Sequence, residues 1–284
     1  MKKLWILVVS LFPLLSFSQR LHVTLFAGFS NYQGDLQDKP FTLDQSNGAF
    51  GAGLKYNVNG HLSIRTGVVY GKVEASDKSN KASLQLRNLS FESKLVEGNL
   101  LLEYNLFDLE ERRFTPYLFA GGAVFHFNPY AFDSLGNKIE LKPLSTEGQG
   151  LAQYPARKPY KLTQFAVPFG GGIKMRVSDN VILGYEIGLR KLFTDYLDDV
   201  SSTYVNPLNL GAARGFRAVE MAYRGDEIKN GDPLYPADGS LRGSVKQKDW
   251  YYFHGITLSI GLNKGEGNGW RGKRNQMGCP VRVM

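Results

Sequence analysis

Past residue 19 the chain shows no helical period. Stretches of about ten residues instead alternate apolar positions with small or polar ones, which is the period of a strand with two unlike faces. Eight such stretches can be read, at 20–30, 47–58, 61–74, 91–106, 114–127, 163–177, 180–194 and 250–263. In the third, Leu62, Ile64, Thr66, Val68 and Tyr70 face one way, while Ser63, Arg65, Gly67, Val69 and Gly71 face the other. In the seventh, Val181, Leu183, Tyr185, Ile187 and Leu189 oppose Gly184, Glu186, Gly188 and Arg190. The connections alternate strictly in length. Asn59-Gly60, 107–113 and Ser178-Asp179 are short, whereas 31–46, 75–90, 128–162 and 195–249 are long.

A soluble β-sandwich also has half-buried strands, but its loops need not alternate by length. Short turns at one end and long loops at the other are the plan of a transmembrane β-barrel. The expected fold is therefore all-β: an eight-stranded antiparallel transmembrane barrel with short periplasmic turns, long external loops and a C-terminal periplasmic tail. An even strand count places both termini on the periplasmic side. Phe29, Tyr32, Tyr56, Tyr70, Tyr104, Phe125, Phe127, Phe193, Trp250 and Tyr252 fall near segment ends, as an interfacial aromatic girdle would. Generic strand propensity enriches the same residues.

Composition narrows the picture. A mean hydropathy of −0.25 excludes a multi-span helical membrane protein, and a single Cys excludes an internal disulfide framework. Residues 1–18 read as a signal peptide: Lys2 and Lys3, an apolar run from Leu4 to Leu15, and small residues before Gln19. A membrane anchor is the alternative, although the run is short for a span. The barrel is then 19–263 and the tail 264–284. Of the net charge of +8, two units leave with the signal. The tail holds Lys264, Arg271, Lys273, Arg274 and Arg282 against Glu266, so most of the rest lies there. Nucleic acid is not expected as a partner of an exported chain. Anionic lipid headgroups and a periplasmic protein both suit the tail, and Cys279 suits either an intermolecular disulfide or a tolerated thiol.

The inward register gives Lys55, Arg65, Glu97, Glu103, Lys174, Arg176, Glu186 and Arg190. Charges out of water must pair. They would make either an ion pathway or a salt-bridged plug. Asp195, Asp198 and Asp199 open the last long loop, where they could hold Ca²⁺ or serve as a structural acidic cluster bonded to neighbouring backbone. No cofactor is otherwise implied. The four His residues have no metal-ligand spacing, and Gly170-Gly171-Gly172 lies inside a strand rather than in a phosphate loop. No nucleophile and base can be paired, so an enzyme is not expected.

Three runs carry a family resemblance: Phe29-Ser30-Asn31-Tyr32-Gln33-Gly34-Asp35-Leu36, Phe193-Thr194-Asp195-Tyr196-Leu197-Asp198-Asp199-Val200-Ser201, and Lys248-Asp249-Trp250-Tyr251-Tyr252. Together with Met277-Gly278-Cys279-Pro280, they resemble the outer-membrane barrel family of Bacteroidetes typified by PorG. The resemblance implies a component of the type IX secretion system, placed in the outer membrane beside a periplasmic ring of proteins like PorK and PorN. It also implies a role in protein export and, in gliding species, motility. On that reading Cys279, Arg271, Lys273 and Arg274 are the candidate ring contacts. The stretches 128–162 and 206–248 are longer than a minimal member needs.

Overall fold

The computed structural model describes residues 20–262 except 38, 40, 43, 230 and 247. The signal segment and the tail, with Arg271, Lys273, Arg274 and Cys279, lie outside the described residues.

Among the described residues, nine strands form one antiparallel sheet: β1 (Leu21–Gln33), β2 (Asn47–Asn57), β3 (Leu62–Ser76), β4 (Ser90–Asn105), β5 (Phe114–Phe132), β6 (Lys138–Glu140), β7 (Thr163–Ser178), β8 (Val181–Leu192) and β9 (Trp250–Gly261). Their order is β4-β3-β2-β1-β9-β8-β7-β5-β6, and β4 also pairs with β5. That last pairing closes eight strands into a barrel and leaves the three-residue β6 as a flap on β5. Closure removes the sheet edges that would otherwise strand backbone donors in lipid.

The eight predicted segments are the eight barrel strands, with ends displaced by a few residues at most outside β5, which runs five further. β6 is additional, since three residues inside a long connection are too few to show a period. Alternation holds around the wall: Leu54, Val68, Leu100, Leu118, Phe165, Tyr185 and Ile256 are exposed. The next residues along the same strands, among them Lys55, Val69, Leu101, Phe119 and Glu186, are buried and point inward. A continuous apolar outer surface of this kind is stable only against hydrocarbon, so the barrel is of the outer-membrane type. No helix among the described residues is long and apolar enough to span a membrane. β3, β4 and β5 outreach the other strands at the long-loop end. There the outward positions turn polar, and Lys72 bridges Glu74 and Glu92 at 2.8 and 3.0 Å.

The aromatic girdle is smaller than the segment ends suggest. Phe29, Tyr70, Tyr104 and Phe193 face outward and are exposed. Tyr32, Phe125 and Phe127 point inward and are buried, as their parity requires: Phe125 and Phe127 share the face of Tyr117 and Phe119. Tyr252 has outward parity but is covered by the first long loop, against the ring of Phe41.

At the turn end, the Asn59 side chain accepts from the backbone of His61 and Leu62 and so closes the β2–β3 turn. At the other end, the long loops fold into a cap. It contains α1 (Ala82–Gln85), α2 (Pro207–Arg214) and α3 (Phe216–Ala222). Asn206 caps α2 through the N–H groups of Leu208 and Asn209, and Leu210 and Ala218 anchor the helix pair on Leu151 and Val205.

Candidate functional site

The middle of the lumen is filled by paired charges. Arg65 makes a two-pronged pair with Glu186 at 2.7 and 3.2 Å, and Tyr117 donates to the same carboxylate at 2.7 Å. Arg190 holds Glu97 at 2.9 and 3.1 Å, with Tyr251 and Asn99 donating at 2.8 Å. Lys174 pairs with Glu103 and stands 3.7 Å from the centre of the Tyr117 ring. These groups arrive from β3, β4, β5, β7, β8 and β9, so the network ties the barrel across its diameter. Close packing explains one of the strand glycines: a Cβ on Gly188 would strike the Arg190 guanidinium and the Phe119 ring. Lys55 is buried among the same groups. Arg176 shares the parity of Lys174 but lies outside the network. It sits at the turn-end mouth, beside an irregularity in the β7–β8 register, and reaches the Glu110 carbonyl. Seven of the eight predicted lumen charges thus come together, in the arrangement of a plug.

Above the ion pairs lies an aromatic layer. Phe125 packs edge-on to Tyr251 at 5.4 Å, Phe127 stacks on Tyr160 at 6.2 Å, and Tyr160 stacks on Tyr196 at 4.9 Å. Above this layer the three runs quoted for the family resemblance converge, from strands and loops up to 217 positions apart. Tyr32 stands 2.6 Å from an oxygen of Asp198 and 2.9 Å from one of Asp249. A phenol carries one proton, so both contacts can be hydrogen bonds only if one carboxyl also donates. Burial is the main force holding both carboxyls well above the ordinary range, and each raises the other or is raised by further carboxylates nearby. A Cβ at Gly34 would collide with the Tyr32 hydroxyl and the Asp249 carboxyl, so a side chain there would push this pair apart. Asp35 accepts from the Ser244 N–H with both oxygens, at 3.1 and 3.0 Å.

The three aspartates proposed for Ca²⁺ point apart. Asp195 accepts from Ser201, Asp198 faces Tyr32 and the Val200 N–H, and Asp199 accepts from Thr146 at 2.5 Å and Tyr160 at 2.7 Å. Asp199 holds a left-handed backbone with φ 64°, which a short polar side chain tolerates. Among the described residues, no three His, Cys, Asp or Glu side chains gather in a way that could hold a metal.

The hub of the cap carries no sequence signal. Glu147, fully buried, accepts from the N–H groups of Ser201 and Ser202 and the Ser202 hydroxyl, and pairs with Arg242 at 3.1 Å. Arg242 also donates to the carbonyls of Asp199 and Ala222. Arg87 pairs with Asp77 at 2.7 Å and reaches the Asp35 carbonyl. In Arg224-Gly225-Asp226, Arg224 is buried and tied to Glu227.

Burial lifts the carboxyls of Asp35 and Asp199 to about 6 and that of Asp195 above its usual value, despite the lowering by Ser244, Arg242 and Ser201 respectively. An unfolded Asp titrates near 3.9, so the closed cap binds more protons than an opened one. Its stability is therefore fullest below about pH 4 and falls as pH rises through about 6. Amide exchange in 195–205, corrected for intrinsic rates, should show stronger protection at pH 5 than at pH 7.5. Equal protection at the two values would refute this linkage.

The family model described as "Domain of unknown function (DUF6089)" matches residues 2–212. No curated protein matches the chain significantly. Among solved structures, the chain is similar to Ail, the attachment invasion locus protein of Yersinia pestis, in complex with the heparin analogue sucrose octasulfate. The identity is 7%, the TM-score 0.38, and the match covers 85% of this chain and 98% of Ail. Neisserial surface protein A matches with 10% identity and a TM-score of 0.41, over 85% of this chain and 96% of its own. A major outer membrane protein from Thermus thermophilus matches with 12% identity and a TM-score of 0.41, over 85% and 98%.

Proposed function

We propose that this chain, which belongs to the family described as Domain of unknown function (DUF6089), is a closed outer-membrane anchor of the type IX secretion system. In this reading the long-loop cap faces the outside of the cell, and the turns and both termini face the periplasm. The observation that carries it is the filled lumen. Three ion pairs across the lumen, an aromatic layer and a packed cap leave the barrel no path for cargo. Work is then done at the two ends, not through the middle. The resemblance supports the secretion role, with Arg271, Lys273 and Arg274 as electrostatic contacts to a PorK- and PorN-like ring and Cys279 as a covalent link. The chain performs no chemistry of its own.

Deleting 264–284 in the native host tests this. The expected result is an intact, heat-modifiable barrel that no longer co-purifies with a ring lipoprotein, and secreted proteins retained in the periplasm. An unchanged secretome would remove the docking role, and a steady single-channel current from the wild-type barrel would remove the closed anchor. A second reading, a surface-binding barrel, draws on apolar side chains displayed by the cap: Leu208, Phe216, Leu234 and Leu241 are 73–80% exposed. It predicts normal secretion after tail deletion.

A further inference from the structure

We propose that the turn-end mouth of the barrel is a binding site for a small oxyanion, with Lys55 as its cationic floor and His22 beside it. The starting observation is a charge imbalance. The buried lumen holds Lys55, Arg65, Lys174 and Arg190 against Glu97, Glu103 and Glu186. Arg65 takes Glu186, Lys174 takes Glu103, and Arg190 takes Glu97. Lys55 is left over. It is only 2% exposed, and no hydrogen bond or ion pair joins it to any described residue. The carboxylates that act on it through space are Glu103 and Glu186; each already holds another cation, and the one free oxygen, Oε2 of Glu103, makes no hydrogen bond to Lys55. An unpaired buried cation costs several kcal/mol unless a counter-charge or a hydrogen-bond acceptor such as water oxygen reaches it.

The surroundings supply room for that counter-charge. Lys55 and His22 are directly paired across β1 and β2, both facing inward. Nδ1 of His22 is also buried without a partner. Both residues line a cavity of about 360 Å³ whose walls also include Arg20, Arg176, Asn57 and Asn180. Asp108, Glu110 and Asp179 line it as well, but they sit on the turns, at the rim. The floor is cationic and the rim is mixed. The volume admits a phosphate or carboxylate group with its waters and excludes a folded segment. Side-chain N–H donors on two walls suit an acceptor with several oxygens better than a halide.

The test uses the full-length protein in detergent micelles at pH 7 and matched ionic strength, with inorganic phosphate, acetate or chloride as the anion. Phosphate should raise the unfolding midpoint over chloride and saturate, as binding to the folded state requires. A matching rise in acetate would extend the site to carboxylates, while a rise in phosphate alone would restrict it to phosphate groups. Lys55→Met should abolish the rise and, in chloride, be at least as stable as the wild type. Without any variant, the phosphorus resonance of inorganic phosphate should broaden on adding wild-type protein and sharpen again with excess sulfate. The proposal is overturned by the absence of any anion-dependent shift or broadening, or by a shift that survives in Lys55→Met. A Lys55→Met protein less stable than wild type in chloride also overturns it, since Lys55 would then be serving Glu103.

Discussion

Glu97→Ala is expected to destabilise the barrel by about 3–5 kcal/mol, because it leaves the Arg190 guanidinium buried with its carboxylate gone. Arg190 is 3% exposed, and it keeps the Gly188 carbonyl as a hydrogen-bond partner and the Phe253 ring beneath its guanidinium. Tyr251 loses its acceptor in the same change. The physical cause is not the worth of the pair but the cost of one unpaired charge. The double replacement Glu97→Leu with Arg190→Met should therefore recover most of the loss. Urea unfolding of the refolded barrel in micelles measures both. A single-variant cost of less than about 1 kcal/mol, as exposed pairs give, would mean that water reaches this layer freely.

Glu147→Ala should open the cap and spare the barrel. The carboxylate satisfies backbone donors of Ser201 and Ser202 and neutralises Arg242, itself 2% exposed. Its loss is expected to cost the closed cap about 3–5 kcal/mol, the range for breaking a buried pair. None of its partners lies in a barrel strand. Limited proteolysis should cut within 193–249 in the variant at concentrations that leave the wild type whole, while the heat-modifiable barrel band persists in both. Glu147→Gln keeps an acceptor oxygen and should fall between them. A cap that resists protease as the wild type does would show that the apolar contacts of Leu197, Val200 and Leu210 suffice without the hub.

The two variants separate the layers because the layers have different origins. The barrel rests on backbone ladders around a closed circle, and its strands need only period-two alternation to be specified. Phe193 through Ser201 has no such period. Its conformation is dictated by partners on other loops: Tyr32 for Asp198, Thr146 and Tyr160 for Asp199, and Glu147 for the backbone after Val200. The acidic run therefore looks like a metal loop in isolation and is a set of three separate anchors in the folded chain.

Parity along a strand, a local property, was enough to determine the eight strands, their inward charges and the alternation of loops. Each residue's face follows from its neighbours two positions away, and the wrong assignment of Phe125 and Phe127 to the girdle came from using their place in the segment instead of their parity. Tertiary structure alone decided which inward charges pair, that Arg176 stands apart and Lys55 is left over, and that Tyr32 meets both Asp198 and Asp249. It also decided that Glu147 and Arg242 hold the cap. Those contacts join residues tens to hundreds of positions apart, where loop closure and burial, not local pattern, select the partner.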